Sequence, residues 1–425
     1  MKVDKYVNSY VKSGDFSGCI AIKKGVSILY SNCFGEANKE FNIDNNFNTK
    51  FKIGSVSKQF TAIAILLLEE RGLLKTNDAL TKFYPEVVQL NKTTIEHLLT
   101  HQSGLIDIYE VKGFNSLSCK KSSSHELVKE ILKKDLKFKS GESYSYSNGG
   151  YLILADIIEK VSKRSYEEFL RNELFEPLNM NATGHTNENE IINNLAYGYE
   201  PKGYSDFENT IHVNNQLFKG SGSIYSNLSD MFIWIDMLKN RSFLSPKSFE
   251  KFFNNYGNAY GYGISIYNFL DKQVFGHDGR VSGYIADYLH YVKDDVTILI
   301  LGNVQTGVSD FLRRDLALLV FNRDYKTSAK TVLPAKTYEK PINSYVGSYS
   351  FGSNFVVHIE NFNGVLHARA NEGSYSELIP LEDNSLFSRV LYAKIKFEQN
   401  SLGEIEKMIW INNDGNEFIG YNQKI

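Results

Sequence analysis

The stretch Gln59–Arg71 constrains this chain more than any other. Read as a helix, it is apolar over nearly all its circumference, so it must be buried on most sides. Its purely apolar run, Ala62–Leu68, is far short of the ~20 residues needed to cross a bilayer. It therefore belongs inside a folded domain, with Gly72 as its C-cap. A turn-like segment, Lys52-Ile53-Gly54, leads into it through Ser55-Val56-Ser57-Lys58. A serine and a lysine three apart on a helix share one face. Near the helix start, the serine oxygen also lies beside unpaired backbone N–H groups and the positive end of the dipole. Nucleophile, amine and anion-stabilising donors on one rigid mount suggest a covalent serine hydrolase.

Ser-x-x-Lys occurs elsewhere too, at Ser118–Lys121 and Ser248–Lys251 among other places. Ser118 lies in the polar run 116–124, which reads as a loop. Ser248 lies in a short amphipathic stretch with no long apolar continuation. Only Ser55 opens a buried helix.

The chain has 425 residues, with 23% charged and 42% hydrophobic, the composition of an ordinary soluble globular protein. At about 150 residues per domain, two or three domains are expected. A net charge of -2 gives no reason to expect nucleic acid or an anionic membrane as partner. Met1–Asn8 has no apolar core of a signal peptide. Three cysteines (Cys19, Cys33, Cys119) are few and odd in number, which fits a reducing compartment. Cys19 and Cys33 fall in predicted strands and read as small core hydrophobes rather than a redox pair. The expected location is cytoplasmic, or exported if a leader has been removed. The 27 tyrosines and 28 phenylalanines are spread along the chain, as core packing requires and a carbohydrate-binding face does not.

Residues 17–34 alternate as a hairpin, with Lys23-Lys24-Gly25 as the turn. From Gln59 to Asn181 the period is mostly helical, clearest at Thr94–Leu99, Ser124–Lys134, Gly150–Val161 and Tyr166–Leu174. Strand patterns return at Tyr260–Ile266, Gln273–Gly276, Tyr284–Val292 and Val296–Leu301, followed by a helix over Ser309–Phe321. Strands at both ends with helices between them predict an α+β fold: an antiparallel sheet flanked by helices, with a helical subdomain over one side. Residues 328–336 read as a linker. Beyond it, short alternating runs separated by turns such as Asn413-Asp414-Gly415-Asn416 predict a small antiparallel β-barrel or sandwich. The expected division is 1–327, 328–336 and 337–425.

Two further groups follow in order. Tyr146-Ser147-Asn148 ends a polar loop that leads into a helix, and His277-Asp278-Gly279 ends a predicted strand. Tyr-x-Asn also occurs at Tyr6, Tyr30, Tyr225 and Tyr256, whereas His-x-Gly occurs once. The ordered set resembles the serine β-lactamases and penicillin-binding proteins, in particular the class C β-lactamase-like branch, with Ser-x-x-Lys, Tyr-x-Asn and Lys- or His-x-Gly. Leu98–Leu105 is similar to that family's Leu-Leu-Thr-His-x-Ser-Gly-Leu. Phe175–Met180 is similar to its Phe-x-Pro-Leu-Gly-Met, and Gly261-Tyr262-Gly263 to its Gly-aromatic-Gly. The resemblance covers roughly residues 15–325. The tail resembles the lipocalin-like barrel appended to some members.

The resemblance implies the β-lactamase/DD-peptidase-like fold, Ser55 as nucleophile, and proton transfer shared by Lys58 and Tyr146. It further implies that Asn148 holds the substrate amide and the lysine. The backbone N–H groups of Ser55 and Arg280, beside Gly279, would form the oxyanion hole. Position 277 departs from the lysine of penicillin-binding proteins. A histidine there can bond a substrate carboxylate but is only partly charged at neutral pH. That disfavours D-Ala-D-Ala carboxylate recognition and efficient β-lactamase activity, and favours esterase, amidase or aminopeptidase-like action. Plainer roles stand beside these: Tyr146 as a buried tyrosine with a satisfied hydroxyl, His277 bonded to backbone, His101 as scaffold, and Asp278 solvated. The competing function is a non-catalytic penicillin-binding or scaffold protein of the same fold. No Gly-rich phosphate loop or metal-spaced His/Cys cluster occurs, so no cofactor or metal is expected. The expected partner is a small-molecule or peptide substrate, with no nucleic acid and no membrane; a homo-oligomer is allowed.

Overall fold

In the computed structural model, residues 2–114, 124–186, 190–211, 213–352, 355–371 and 375–424 are described. The Ser118–Lys121 copy and Cys119 lie outside the described residues. The chain divides into two compact units, one of residues 18–198 and 210–303, the other of 1–17, 199–209 and 304–425.

The first unit is built on an antiparallel sheet. Numbering the strands of the two larger sheets in chain order, its strands are β1 (Gly18–Lys24), β2 (Ser27–Phe34), β3 (Ser265–Phe269), β4 (Lys272–Val281), β5 (Tyr284–Tyr291) and β6 (Val296–Gly302). Among the described residues their order is β3-β4-β5-β6-β1-β2. The β1–β6 seam, from Gly18↔Gly302 to Lys24↔Val296, joins the N-terminal hairpin to a meander more than 240 residues later in the chain. β5 and β6 are buried along their whole length, as strands covered on both faces must be.

The apolar helix spans Ser57–Glu70, and Phe60, Ala62, Ile63, Ala64, Ile65, Leu66 and Leu68 are fully buried. Each such large side chain contributes roughly 1.5–3 kcal/mol on burial. Its one buried amide, Gln59, fixes the helix against its neighbours: Oε1 accepts from Trp234 Nε1 at 2.9 Å and from the Tyr288 hydroxyl at 2.8 Å. Trp234 lies on the helix Leu228–Asn240 and stacks on Phe60, with ring centroids 3.8 Å apart. The helix Asn148–Ser162 packs directly against Ser57–Glu70 in the same core.

Two local expectations are corrected. Cys19 and Cys33 are joined by a disulfide. They are register partners on β1 and β2, which brings the two sulfurs together. Tyr260–Ile266 is a strand only from Ser265 onward. Asn258 and Ala259 adopt left-handed φ values of 54° and 57°, which breaks the ladder before Tyr260.

The second unit contains the helices Lys2–Lys12 and Ser309–Val320, a hairpin of Tyr199–Lys202 with Asp206–Asn209, and a nine-stranded antiparallel sheet among the described residues. Its strands are β7 (Gly347–Ser350), β8 (Val356–Phe362), β9 (Val365–Ala370), β10 (Ser376–Glu377), β11 (Ile379–Pro380), β12 (Leu386–Ser388), β13 (Ala393–Gln399), β14 (Ile405–Ile411) and β15 (Glu417–Asn422). The two edge strands, β10 and β11, are separated in the chain by Leu378 alone, so the sheet nearly closes into a barrel. Tyr349, Val357, Ile359, Leu366, Ile395 and Met408 fill its core.

The compact units do not follow the linear division at 328–336. A buried ion cluster shows why. Asp15 accepts from Arg389 Nε at 2.9 Å and from the Tyr392 hydroxyl at 2.9 Å, and pairs with Lys330 at 2.5 Å. Arg389 also donates to the carbonyls of Gly14 and Asp206, both at 2.6 Å. Chain start, hairpin, linker and barrel are thereby fastened together.

Candidate active site

Ser55 does not lie in the helix proper. It occupies a 3-10 turn, Gly54–Val56, whose last residue is the N-cap of Ser57–Glu70. Gly54 has φ of 51°, and a Cβ there would lie 2.7 Å from Arg280 N, so only glycine fits the turn without strain. The reciprocal approach comes from β4: a Cβ on Gly279 would lie 2.0 Å from Ile53 O and 2.9 Å from Ser55 N. Two glycines thus let the strand backbone reach the turn, bringing the amides of Ser55 and Arg280 together beside the half-buried Ser55 side chain.

One turn along, Lys58 is fully buried. Its Nζ lies 3.0 Å from Ser55 Oγ, 2.9 Å from Asn148 Oδ1 and 2.8 Å from the carbonyl oxygen of Ser221. Burial pushes the amine down to about 7, against the pull of the Asp107 and Asp278 carboxylates. The Tyr146 ring lies 4.7 Å from Nζ, and Tyr151 lies 5.5 Å away. Tyr146 leaves 37% of its surface open at the mouth of the site. Desolvation of its hydroxyl end holds the phenol well above its ordinary range, opposed by a hydrogen bond with Ser55.

Asn148 opens its helix and Ser147 caps it, accepting from Gly150 N at 3.0 Å. Asp107, 41 residues earlier, accepts from Asn148 N at 2.7 Å, Gly149 N at 3.0 Å and Asn148 Nδ2 at 3.2 Å. A remote carboxylate thus satisfies two open helix donors and turns the Asn148 carbonyl toward Lys58. Sequence reasoning missed Asp107, because nothing local in Leu105–Asp107 signals a cap supplied to another segment.

His277 is 4% exposed. Its Nδ1 lies 2.6 Å from the Asp278 carbonyl oxygen and its Nε2 2.8 Å from the Tyr260 hydroxyl. A carbonyl can only accept, so Nδ1 carries the hydrogen and, in the neutral ring, Nε2 accepts from Tyr260. The backbone bond considered for His277 is present. Tyr260 is a second partner missed in sequence, where its segment read as a strand. His101, 1% exposed at φ of 59°, accepts from Ser147 N through Nδ1 at 3.1 Å, and its ring lies 4.2 Å from that of Tyr146. Burial holds its ring neutral. It is scaffold for the Tyr146–Asn148 loop. The Ser-x-x-Lys at Ser248 is spent elsewhere: Ser248 Oγ donates to Glu70 at 2.6 Å and Lys251 to Glu69 at 2.7 Å.

The structure therefore brings Ser55, Lys58, Tyr146, Asn148, His277, Gly279 and Arg280 to one place. An antiparallel sheet flanked by helices, with a Ser-Lys-Tyr group where strand meets helix, defines a serine hydrolase of the β-lactamase and penicillin-binding protein fold. A family profile described as Beta-lactamase matches residues 3–322. The chain belongs to that family. Penicillin-binding protein 4* of Bacillus subtilis (strain 168) is 30% identical over 430 residues, covering 95% of this chain and 94% of that protein. Teichoic acid D-alanine hydrolase of Staphylococcus aureus is 27% identical over 308 residues, covering 71% of this chain and 74% of that protein. The solved structure of an octameric penicillin-binding protein homologue from Pyrococcus abyssi superposes with a TM-score of 0.69 at 24% identity, covering 99% of this chain and 98% of that one.

Proposed function

We propose that this protein cleaves an ester or amide bond of a small molecule or peptide through an acyl-enzyme on Ser55. One observation carries the reading. A neutral lysine has two N–H bonds and one lone pair, and the Lys58 amine has two acceptors, Asn148 Oδ1 and Ser221 O, and one hydroxyl, Ser55. The acceptors take the two N–H bonds, and the lone pair is left for the Ser55 proton. With its basicity lowered to about 7, the amine can take that proton at neutral pH.

Ser55 Oγ attacks the carbonyl as its proton passes to Lys58. The Ser55 and Arg280 amides stabilise the oxyanion, a contribution on the order of 2.7–4 kcal/mol per donor. Tyr146, held as the phenol, relays the proton from Lys58 to the leaving group. Water then enters, gives a proton by the same path, and frees the acid and Ser55. Asn148 orients Lys58 and the substrate amide.

The Cys19–Cys33 disulfide favours an oxidising compartment over the cytoplasm. Among the described residues no helix is long and apolar enough to cross a membrane. Assembly into a homo-oligomer is in keeping with the octameric relative. Pre-steady-state hydrolysis of a p-nitrophenyl ester tests the reading. A burst equal to the enzyme concentration supports it, and one-step release that survives in Ser55→Ala opposes it.

A further inference from the structure

A cavity of about 360 Å³ opens between the sheet of the first unit and the end of the helix Leu228–Asn240. That is the size of a small-molecule site. It is separate from the site at Ser55. Along β4, its lining residue Phe275 precedes Gly279 by four residues, about 13 Å of extended strand. The even step keeps Phe275 on the face of the sheet that carries the nucleophile turn.

One wall of the cavity is a run of rings. The Phe253 ring lies 5.1 Å from that of Phe275, and Phe275 lies 4.8 Å from His290. Ile266 of β3 adds to the apolar lining. His290 is 2% exposed. Its Nδ1 lies 2.9 Å from the Thr297 hydroxyl oxygen, and its Nε2 has no hydrogen-bond partner among the described residues. Burial pushes the imidazole down to about 4, so the ring is neutral and brings no charge to the cavity. A nitrogen left unmatched on a buried ring is a vacancy that a bound group can fill.

The charges at the cavity do not balance. Lys239, Arg241 and Asp295 line it. Lys239 Nζ lies 2.8 Å from Asp295 Oδ1 and 3.4 Å from Asp236 Oδ1, so these groups neutralise one another. Arg241 ends the helix in the left-handed conformation, and its guanidinium sits 5.3 Å from the centre of the Phe253 ring. No carboxylate pairs with it among the described residues. One cation is thus left over, and it is seated on the aromatic wall.

We propose that this cavity binds a small monocarboxylate with a ring-sized apolar body, its carboxylate on Arg241 and its body against Phe253, Ile266 and Phe275. A guanidinium receives a carboxylate through paired, charge-assisted hydrogen bonds. A phosphate monoester would bring a second negative charge with no cation left to meet it. An amine would meet Arg241 as a like charge, while Asp295 is already held by Lys239. Acylation at Ser55 plays no part in this binding.

Titration of the full chain, labelled at its isoleucine methyl groups, with 3-phenylpropionate reads the cavity directly by NMR. The Ile266 signal, assigned by its absence in Ile266→Val, should shift and saturate with a Kd of about 1 mM or tighter. Arg241→Asn removes the cation at an exposed position and keeps a residue that tolerates the left-handed cap, so the fold should stand. It should weaken binding by about 10-fold to 100-fold. The same loss is expected in wild type for 3-phenylpropionamide, which lacks the charge, and for acetate, which lacks the body. An Ile266 signal that does not move by about 10 mM overturns the proposal. So does an affinity unchanged in Arg241→Asn, or one equalled by the amide or by acetate. Tighter binding of 2-phenylethylamine also overturns it, since Asp295 would then be reading a cation.

Discussion

Asp107 grips Asn148 twice, at the backbone N (2.7 Å) and at Nδ2 (3.2 Å), and so fixes which way the side-chain carbonyl faces Lys58. Removing the carboxylate should let the amide turn over and present its NH2 group to the amine. Asp107→Ala is expected to lower kcat/KM by about 10-fold to 100-fold, and to cost roughly 0.5–2 kcal/mol through the lost helix cap. Ester kinetics with thermal melts check both. Melting loss without an activity loss would reduce Asp107 to a structural cap.

In the proposed mechanism Lys58 sets the pH dependence. Its amine must be neutral to accept the Ser55 proton, so kcat/KM should rise as pH passes upward through about 7. Asp107 and Asp278 both raise this value, so Asp278→Asn should move the rise to lower pH. Stability follows the same linkage. The folded amine is less basic than the unfolded one at 10.5, so the unfolded chain binds the extra proton between about 7 and 10.5. In that window the stability owed to this group increases with pH; below about 7 the penalty is complete. Relative to wild type, Lys58→Met should therefore melt higher at pH 6 than at pH 9. A flat activity profile across pH 6–8 would contradict the assignment.

In the proposed mechanism Lys58 and Tyr146 serve one proton path. Lys58→Ala and Tyr146→Phe should each lower turnover by ~10²-fold or more with the fold intact by circular dichroism. The double variant should lose little beyond the worse single one. If the two losses multiply, the residues act separately.

Much of the site was legible because its parts are local in sequence. Ser55 and Lys58 share a helical face, Tyr146 and Asn148 lie in one loop, and His277 and Gly279 share one strand. The buried helix declared itself by being apolar all round. What stayed hidden depends on contacts between distant segments. Asp107 reaches Asn148 across 41 residues, and Ser221 offers Lys58 only a backbone carbonyl, which no side chain announces. The loop at Tyr260 read as a strand because its alternation is real. Gly263, at φ of 70° where a Cβ would lie 2.7 Å from Lys58 O, shows that backbone packing won over local pattern. Cys19 and Cys33 stayed apart for a different reason: a small, odd number of cysteines points to a reducing compartment, although the hairpin already sets their strands side by side.

That pairing makes a simple chemical prediction. Of the three cysteines, Cys19 and Cys33 form a disulfide, which leaves Cys119 as the remaining thiol. Alkylation of the denatured, unreduced protein should add one label, and prior reduction should add three. Three labels without reduction would show that the sulfurs are thiols in the protein as prepared.

Acylation at Ser55 is read directly by intact-mass spectrometry. After exposure to a fluorophosphonate or a β-lactam, wild-type protein should gain the mass of one adduct, mapped by peptide sequencing to Ser55, and Ser55→Ala should gain none. An adduct that persists in Ser55→Ala, mapping to Ser118 or Ser248, would contradict the account.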